Sequence, residues 1–398
     1  MAKPRLWTKD FIVVSFLTFF TCLSFYLFLV ITSVYTMDTF QSSPSAAGLA
    51  TGIFVIGALL SRLFLGKWIE LLGRRRMLAA GLVFYLIMMS LYFVVNSYAL
   101  LLIIRLFQGA AFGIVSATAA AIVANIVPVV RRGEGMAYFT SISVALSAAI
   151  GPFIGMFIRQ HSSYNMIFLV CTIFSALSLM MLFMLSVPEV NLTEEQRQET
   201  KKFKLSGLLA VKAIPISIVA SLIFLSYSSV LTFLSPYSQE INLVESASVF
   251  FIVYSIAVVI CRPVAGQMSD KKRENVVVYP AFVLFILGLV SVSQAHNGYI
   301  LLLSAFLLGL GLGTITSIGQ AIMVKMVPGH QTGLATSTFF SFMDFGLGIG
   351  PYVLGIFIPL IGYRGMYLIA AIPLLAGIFL YYLWQGKKYF SEISKNPV

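Results

Sequence analysis

The chain has 398 residues, of which 59% are hydrophobic and only 10% charged, and its mean hydropathy is +0.96. That balance excludes a soluble globular domain, and helix-length apolar runs recur throughout, which excludes a single anchor or a cleaved signal peptide. The formal charge of +12 does not point to nucleic acid, because the cations sit in short loops between apolar runs, where a positive-inside bias puts them.

At roughly twenty apolar residues per span, the sequence reads as about twelve transmembrane helices. The first six are predicted at 11–34, 47–64, 77–95, 100–123, 137–158 and 166–185. The second six are predicted at 214–234, 246–264, 276–292, 300–324, 334–358 and 366–383. Between the sets lies one long polar stretch, SVPEVNLTEEQRQETKKFK, which reads as a surface linker with an amphipathic end. The expected organisation is an all-α membrane protein: an N-terminal six-helix bundle at 1–185, a linker at 186–212 and a C-terminal six-helix bundle at 213–398.

Lys and Arg fall mostly on one side. That side holds Lys3, Arg5, Lys9, Arg74 to Arg76, Arg131, Arg132, the linker, Lys271 to Arg273, Lys387 and Lys388; the other holds Arg159 and Arg364. Both termini and the linker are therefore expected in the cytoplasm.

The two halves repeat. A shift of 200 maps Arg62, Gly66 and Glu70 onto Arg262, Gly266 and Asp270, and Gly109, Gly113 and Pro128 onto Gly309, Gly313 and Pro328. The shift is 202 earlier, taking Ser33 and Tyr35 to Ser235 and Tyr237, and 199 later, taking Gly151 and Pro152 to Gly350 and Pro351. Six spans return the chain to its starting side, so the halves are parallel. Pseudo-symmetric bundles of this kind place a site at their interface, opened alternately to each side.

Three motifs carry a family resemblance. GKWIELLGRRR, at 66–76, resembles the loop signature of the major facilitator superfamily between helices two and three, with Glu70 where the family usually has Asp. RLFQGAAFG, at 105–113, resembles its helix-four motif, and SAAIGPFIG, at 147–155, resembles the helix-five Gly-Pro motif of antiporters, with small residues replacing the upstream glycines. Together they resemble the twelve-helix drug:proton antiporter branch, close to bacterial exporters of the arabinose-efflux-permease type. The resemblance implies proton-coupled efflux of a small amphipathic drug or metabolite, by a monomer in the plasma membrane of a bacterium. Its partners would be the substrate, protons and the lipid bilayer. Fold alone does not set direction, so a proton-coupled nutrient symporter and a lipid or lipid-headgroup flippase remain open on the same scaffold.

The charged loop motifs read as a latch, needed once per half. Glu70 at the end of helix two can accept from backbone N–H groups at a neighbouring helix N-terminus, and pseudosymmetry offers Asp270 the same role. In the family these contacts hold the cytoplasmic side closed, with Arg74 nearby. Gly66, Gly73 and Gly266 suit close backbone approach or a tight turn. Arg75, Arg76 and the Lys271 to Arg273 cluster read as topology signals. Gly109, Gly113, Gly151, Pro152, Gly350 and Pro351 read as hinge or packing positions, since proline removes a helix hydrogen bond and glycine lets a neighbouring helix approach.

Ionisable residues inside spans are functional candidates by default. Arg62 and Arg262 lie near helix ends and can snorkel. Arg105, a turn or two into helix four with Gln108 one turn on, reads as a fixed charge facing the interior or a water cavity. Asp344 is the one acid well inside any span. It can carry a proton at one stage and release it when hydrated, the alternative being a permanently neutral Asp bonded to a neighbouring helix. Proton coupling is assigned to Asp344 and Arg105. Asp38, at the outer end of helix one, reads as a solvated loop residue.

Tyr26, Gln108, Tyr227, Ser228, Thr232 and Tyr237 are the candidate substrate-cavity residues, mixing aromatic faces with hydroxyls and an amide as ligand pockets do. No cofactor or metal is implied. Cys22, Cys171 and Cys261 are scattered singly and read as packing. His161, His296 and His330 have no acid or serine partner at motif spacing and no phosphate loop appears, so the chain does not read as an enzyme.

Overall fold

The computed structural model describes residues 5–186, 209–271, 274–327 and 332–386, and within its helices the side chains at 64–71, 129, 132–133, 263, 266–267, 269–271, 324, 332–333 and 385–386 lie outside that description. Every described element is helical. The first half contains α1 (Lys9–Phe40), α2 (Pro44–Leu72), α3 (Arg74–Ser90), α4 (Tyr98–Ile126), α5 (Arg132–Thr140), α6 (Leu146–His161) and α7 (Tyr164–Leu182). The second contains α8 (Ile214–Glu240), α9 (Val244–Lys271), α10 (Asn275–Ser293), α11 (Gly298–Met326), α12 (Thr332–Gly355), α13 (Ile358–Ile369) and α14 (Ile372–Tyr381). With α5–α6 and α13–α14 each forming one crossing, the twelve spans are present as two sets of six.

Eleven of the described helices are long and apolar enough to cross a membrane; α12, which carries Asp344 among several hydroxyls, is outside that count. Large apolar side chains such as Phe183, Leu360 and Phe379 face outward at 78%, 75% and 61% exposure. Such a surface suits hydrocarbon, where each helix satisfies its own backbone.

The helices overrun their predicted limits. α1 reaches Phe40 instead of 34, and the last crossing starts at Ile358 instead of 366, interrupted at Gly362 with φ 70°. Hydropathy marks the stretch that matches the hydrocarbon, whereas a helix continues until its backbone is capped. Thr8 Oγ1 caps α1 by accepting from Phe11 N at 3.2 Å, and Asn297 Oδ1 caps α11 by accepting from Ile300 N at 2.9 Å. Gly73, with φ 90°, makes the turn between α2 and α3 that other residues rarely adopt.

The drop in the repeat offset from 200 to 199 has a structural cause. α5 and α6 are joined by a π-helical turn at Ser141–Ala145, whereas the corresponding part of α12 is uninterrupted α-helix. A π turn accommodates one extra residue within a helix. The first half therefore carries one more residue between Phe139 and Gly151 than the second carries between Phe339 and Gly350.

Two compact units emerge: residues 1–42 with 53–204, and residues 43–52 with 205–398. The first turns of α2 thus group with the second unit, where a Cβ at Gly48 would strike the Pro351 carbonyl and one at Gly52 the Gly348 carbonyl. In the first unit Ser147 Oγ donates to Phe19 O at 3.0 Å and Thr21 Oγ1 to Ser178 Oγ at 3.1 Å, tying α1 to α6 and α7. In the absence of a hydrophobic drive between helices in lipid, such bonds and small-residue contacts hold the bundle.

Glycines also bring α2 and α4 close together. A Cβ on Gly109 would meet the Phe54 carbonyl, and one on Gly113 the Ser61 hydroxyl. A backbone carbonyl cannot swing aside as a side chain can. Gly109→Val is expected to push the helices apart and destabilise the fold by about 3 kcal/mol or more. A thermal-unfolding midpoint of the purified variant equal to wild type would refute that expectation.

Candidate functional site

Arg105 sits two turns into α4, which Ser97 opens by accepting from Leu100 N at 3.4 Å. Its residue exposure is 1%. The guanidinium lies between two aromatic rings, 4.8 Å from the Phe54 centroid and 5.3 Å from that of Phe28, contributed by α2 and α1. Arg105 Nη1 donates to Gln108 Oε1 at 3.5 Å, and the same oxygen accepts from Tyr92 Oη at 2.7 Å. Gln108 Nε2 reaches Met89 Sδ at 2.6 Å. A desolvated cation between ring faces gains about 2 kcal/mol from their quadrupoles, which offsets part of its lost hydration. The arrangement holds a fixed positive charge inside the first unit.

Asp344 is half-buried on α12, in the second unit. The two coupling candidates therefore belong to different units.

The latch motifs are partly visible. Gly66, Glu70, Gly266 and Asp270 lie on α2 and α9, with side chains outside the described residues. Gly73 supplies the turn, and Arg74 Nη1, from the first residue of α3, donates to the Ala121 carbonyl of α4 at 3.2 Å. Arg62 Nη2 donates to Ser116 Oγ at 3.2 Å; Arg262 is exposed.

The Gly-Pro positions lie at close helix contacts. A Cβ at Gly151 would lie 2.8 Å from Tyr26 Cβ, and one at Gly155 2.7 Å from the Leu27 carbonyl, both on α1. A Cβ at Gly350 would meet Ser228 Oγ of α8. Pro152 and Pro351 are buried within α6 and α12. The faces that carry Gly151 and Gly155 are turned to α1, and the face that carries Gly350 is turned to α8.

Several cavity candidates are committed elsewhere. Gln108 holds the Arg105 network; Ser228 Oγ donates to Leu225 O at 2.6 Å; Tyr237 Oη donates to Val292 O at 3.0 Å. All three are buried, as is Thr232, and Tyr227 is stacked on Tyr254 at 5.5 Å. Of the six, only Tyr26 is half-buried. A hydroxyl in hydrocarbon takes the nearest carbonyl, so a polar residue type does not by itself mark a cavity wall.

Asp38 is exposed, as expected of a solvated residue, but it is not in a loop. It lies within α1, where its Oδ2 accepts from Arg159 Nη2 at 3.0 Å and from Tyr164 Oη at 2.6 Å. Arg159 also lies 4.7 Å from the Tyr164 ring centroid, so the acid fastens helix one to the α6–α7 turn. The three cysteines are buried and free, and His161 and His296 are exposed; His330 lies outside the described residues. Sequence reasoning did not find Phe28, Phe54 and Tyr92 around Arg105, or the partners of Asp38. With 34 Phe and 18 Tyr in the chain, no composition or spacing signal singles these out.

Outside the latch and coupling groups, Arg131 Nη2 pairs with Glu134 Oε1 at 2.8 Å and Lys325 Nζ with Glu274 Oε1 at 2.6 Å. Partial burial is the largest single influence on the Glu274 carboxyl and raises it, but the lysine hydrogen bond, a backbone hydrogen bond and the lysine charge together outweigh it, and the net position is below the ordinary value.

The sequence profile of the Major Facilitator Superfamily matches residues 14–300 and 246–397. An uncharacterized MFS-type transporter, MJ1560 of Methanocaldococcus jannaschii, is 24% identical across 94% of this chain and 97% of its own length. Multidrug resistance protein 2 of Bacillus subtilis is 23% identical across 88% of this chain and 89% of its own. Among solved structures, an inward-facing bacterial homolog of the human lysosomal transporter Spinster superposes with a TM-score of 0.78 at 13% identity, covering 96% of this chain and 97% of that one. A POT family transporter in complex with a thioalcohol-conjugated peptide gives 0.77 at 15% identity, covering 95% and 96%. With the profile matched across both repeats and the twelve-helix fold in place, the chain belongs to the Major Facilitator Superfamily, and it is a multi-pass membrane transporter.

Proposed function

We propose that this transporter exports a small amphipathic molecule by alternating access, coupled to inward proton movement. The observation that carries the reading is the desolvated guanidinium of Arg105, held by Phe28, Phe54 and Gln108 within a membrane-spanning bundle. A buried charge at that depth is costly and is retained where it serves transport. Asp344 is the proton carrier in this proposal. Gly66, Glu70, Gly73 and Arg74, with Gly266 and Asp270, form the latch that holds the linker-side face closed. Both termini and the linker lie in the cytoplasm, on the face rich in Lys and Arg, and the working unit is a monomer in a bacterial plasma membrane. Relatives named multidrug resistance proteins, among them MdtG of Dickeya zeae at 22% identity over 98% of each chain, support the direction and the substrate class.

The test is flux of ethidium, a fluorescent amphipathic cation, in proteoliposomes with and without an imposed pH gradient. Uphill movement against the proton flow is the expected result. Movement with the proton flow would make the protein a symporter, and flux indifferent to the gradient would remove proton coupling altogether.

A further inference from the structure

Arg105 is not held by α4 alone. Tyr92, buried at 1% exposure, donates through Oη to Gln108 Oε1 at 2.7 Å, and Arg105 Nη1 reaches the same oxygen at 3.5 Å. By length the tyrosine bond is the stronger of the two. The guanidinium interacts with the Tyr92 hydroxyl as well. At the other end of the amide, Gln108 Nε2 reaches Met89 Sδ at 2.6 Å. The Tyr92 ring also meets Phe28 edge-on, with 4.5 Å between centroids, and Phe28 is one of the two rings that face Arg105. Tyr92 therefore touches both the amide that binds the cation and a ring that covers it.

The second unit shows that a bundle of this kind does not need the arrangement. A shift of 200, which also relates the helix-capping Ser97 and Asn297, maps Met89, Tyr92, Arg105 and Gln108 onto Leu289, Val292, Ala305 and Leu308. All four counterparts are fully buried. The repeat thus fills the corresponding place with aliphatic side chains and leaves no polar side chain there to satisfy. The backbone differs at the same spot. Tyr92 lies in a 3-10 turn, Leu91–Val94, that follows α3, whereas α10 runs as α-helix to Ser293. A tighter turn redirects the side chains it carries. Burying a phenol, an amide and a guanidinium carries a desolvation cost that aliphatic packing avoids. Stability does not account for the cluster, and use does.

Within the cluster Tyr92 has its own part. The Met89 sulfur can only accept, so it takes the amide nitrogen of Gln108, and the Tyr92 hydroxyl donates to the amide oxygen. With both ends engaged, Gln108 keeps its oxygen beside the cation. We propose that Tyr92 is a positioning residue, which through the Gln108 amide fixes the Arg105 guanidinium between Phe28 and Phe54. Its consequence for transport rests on the reading of Arg105 as a coupling charge, whereas the positioning itself does not.

The experiment uses the full chain in lipid nanodiscs with isotope-labelled arginine, the side-chain nitrogens being observed by NMR. The Arg105 signals are those missing from Arg105→Met. A guanidinium fixed between two ring faces gives separate signals for its two terminal nitrogens, displaced by the ring currents, and one free to rotate gives a single averaged signal. Two displaced signals are expected from the wild type. Tyr92→Phe removes one oxygen, keeps the ring, and is expected to merge them. In proteoliposomes the same variant is expected to lose about tenfold in gradient-driven ethidium flux, the size expected for one hydrogen bond in a charged network, while dye-for-dye exchange is unchanged. A packing role for Tyr92 would lower the thermal midpoint and leave the two signals as they are, and that result would overturn the proposal. A single averaged signal from the wild type would overturn it too. If Tyr92→Phe does not fold, Tyr92→Leu, aliphatic as Val292 is in the second unit, gives the same reading, and failure of both would make Tyr92 a packing residue. Wild-type flux indifferent to the pH gradient would remove the coupling reading alone, since the signals still decide how Arg105 is held. Merged signals with normal flux would keep the positioning and show that the transport cycle does not depend on it.

Discussion

Proteoliposomes carrying Asp344→Asn are expected to show no gradient-driven ethidium export, at the level of vesicles without protein, while still binding the dye. The amide matches the carboxyl in shape and occupies the same half-buried place on α12, but it has no proton to give or take. Only steps that need net proton movement should fail. Exchange of dye for dye across the membrane, which needs none, is expected to persist. Asp344→Glu keeps the chemistry and moves the carboxyl by one methylene, so it should retain part of the activity with a displaced pH optimum. The pair of variants separates titration from packing: a hydrogen-bonding role alone would be served by Asn as well as by Asp. Wild-type uphill flux from Asp344→Asn would move coupling to another group and leave Asp344 as a contact between helices.

Much of the architecture was legible because lipid imposes a simple rule on sequence. Each crossing must be a helix of about twenty apolar residues, and loop cations carry the topology. The repeat was legible because glycines such as Gly109 and Gly309 stand where two backbones touch and tolerate no replacement. What hydropathy could not show is where helices end beyond the hydrocarbon. Nor could it show that Ser141–Ala145 forms a π turn, although the loss of one residue from the repeat offset was its trace in the sequence.

The candidate site was legible only in its charges. Arg105 and Asp344 stood out because charge is rare in a span. Phe28 and Phe54 did not, since an aromatic that shields a guanidinium and one that packs against lipid are written with the same letter. The cavity residues are hard to read for a related reason. Ser228 and Tyr237 look available in sequence, yet in a medium without water each hydroxyl has turned to a carbonyl within its own bundle. The exposure of Asp38 was legible, but its partners Arg159 and Tyr164 were not, because they lie more than a hundred residues away in the chain.

Arg105→Met is expected to fold at least as well as wild type and to lose gradient-driven transport. Methionine matches the length of the arginine stem and its thioether packs well against Phe28 and Phe54. Removing the cation forfeits the ring interactions, about 2 kcal/mol, but it also removes the several kcal/mol needed to keep a guanidinium out of water. Gln108 keeps partners, because its Oε1 still accepts from Tyr92 and its Nε2 still reaches Met89. A structural ion retained for stability would give the reverse pattern, with a lower thermal midpoint and normal flux in the molecules that survive. Arg105→Lys makes a useful companion: it preserves the charge, but an ammonium cannot lie flat between two rings and is more strongly hydrated than a guanidinium. It should therefore be less stable than Arg105→Met while keeping more transport, provided the positive charge itself is what the cycle uses. Measuring unfolding midpoint and uphill ethidium flux on both variants places them on two axes. Normal flux from Arg105→Met would show that the transport cycle does not need the charge, and would leave Arg105 as a packing element of α4.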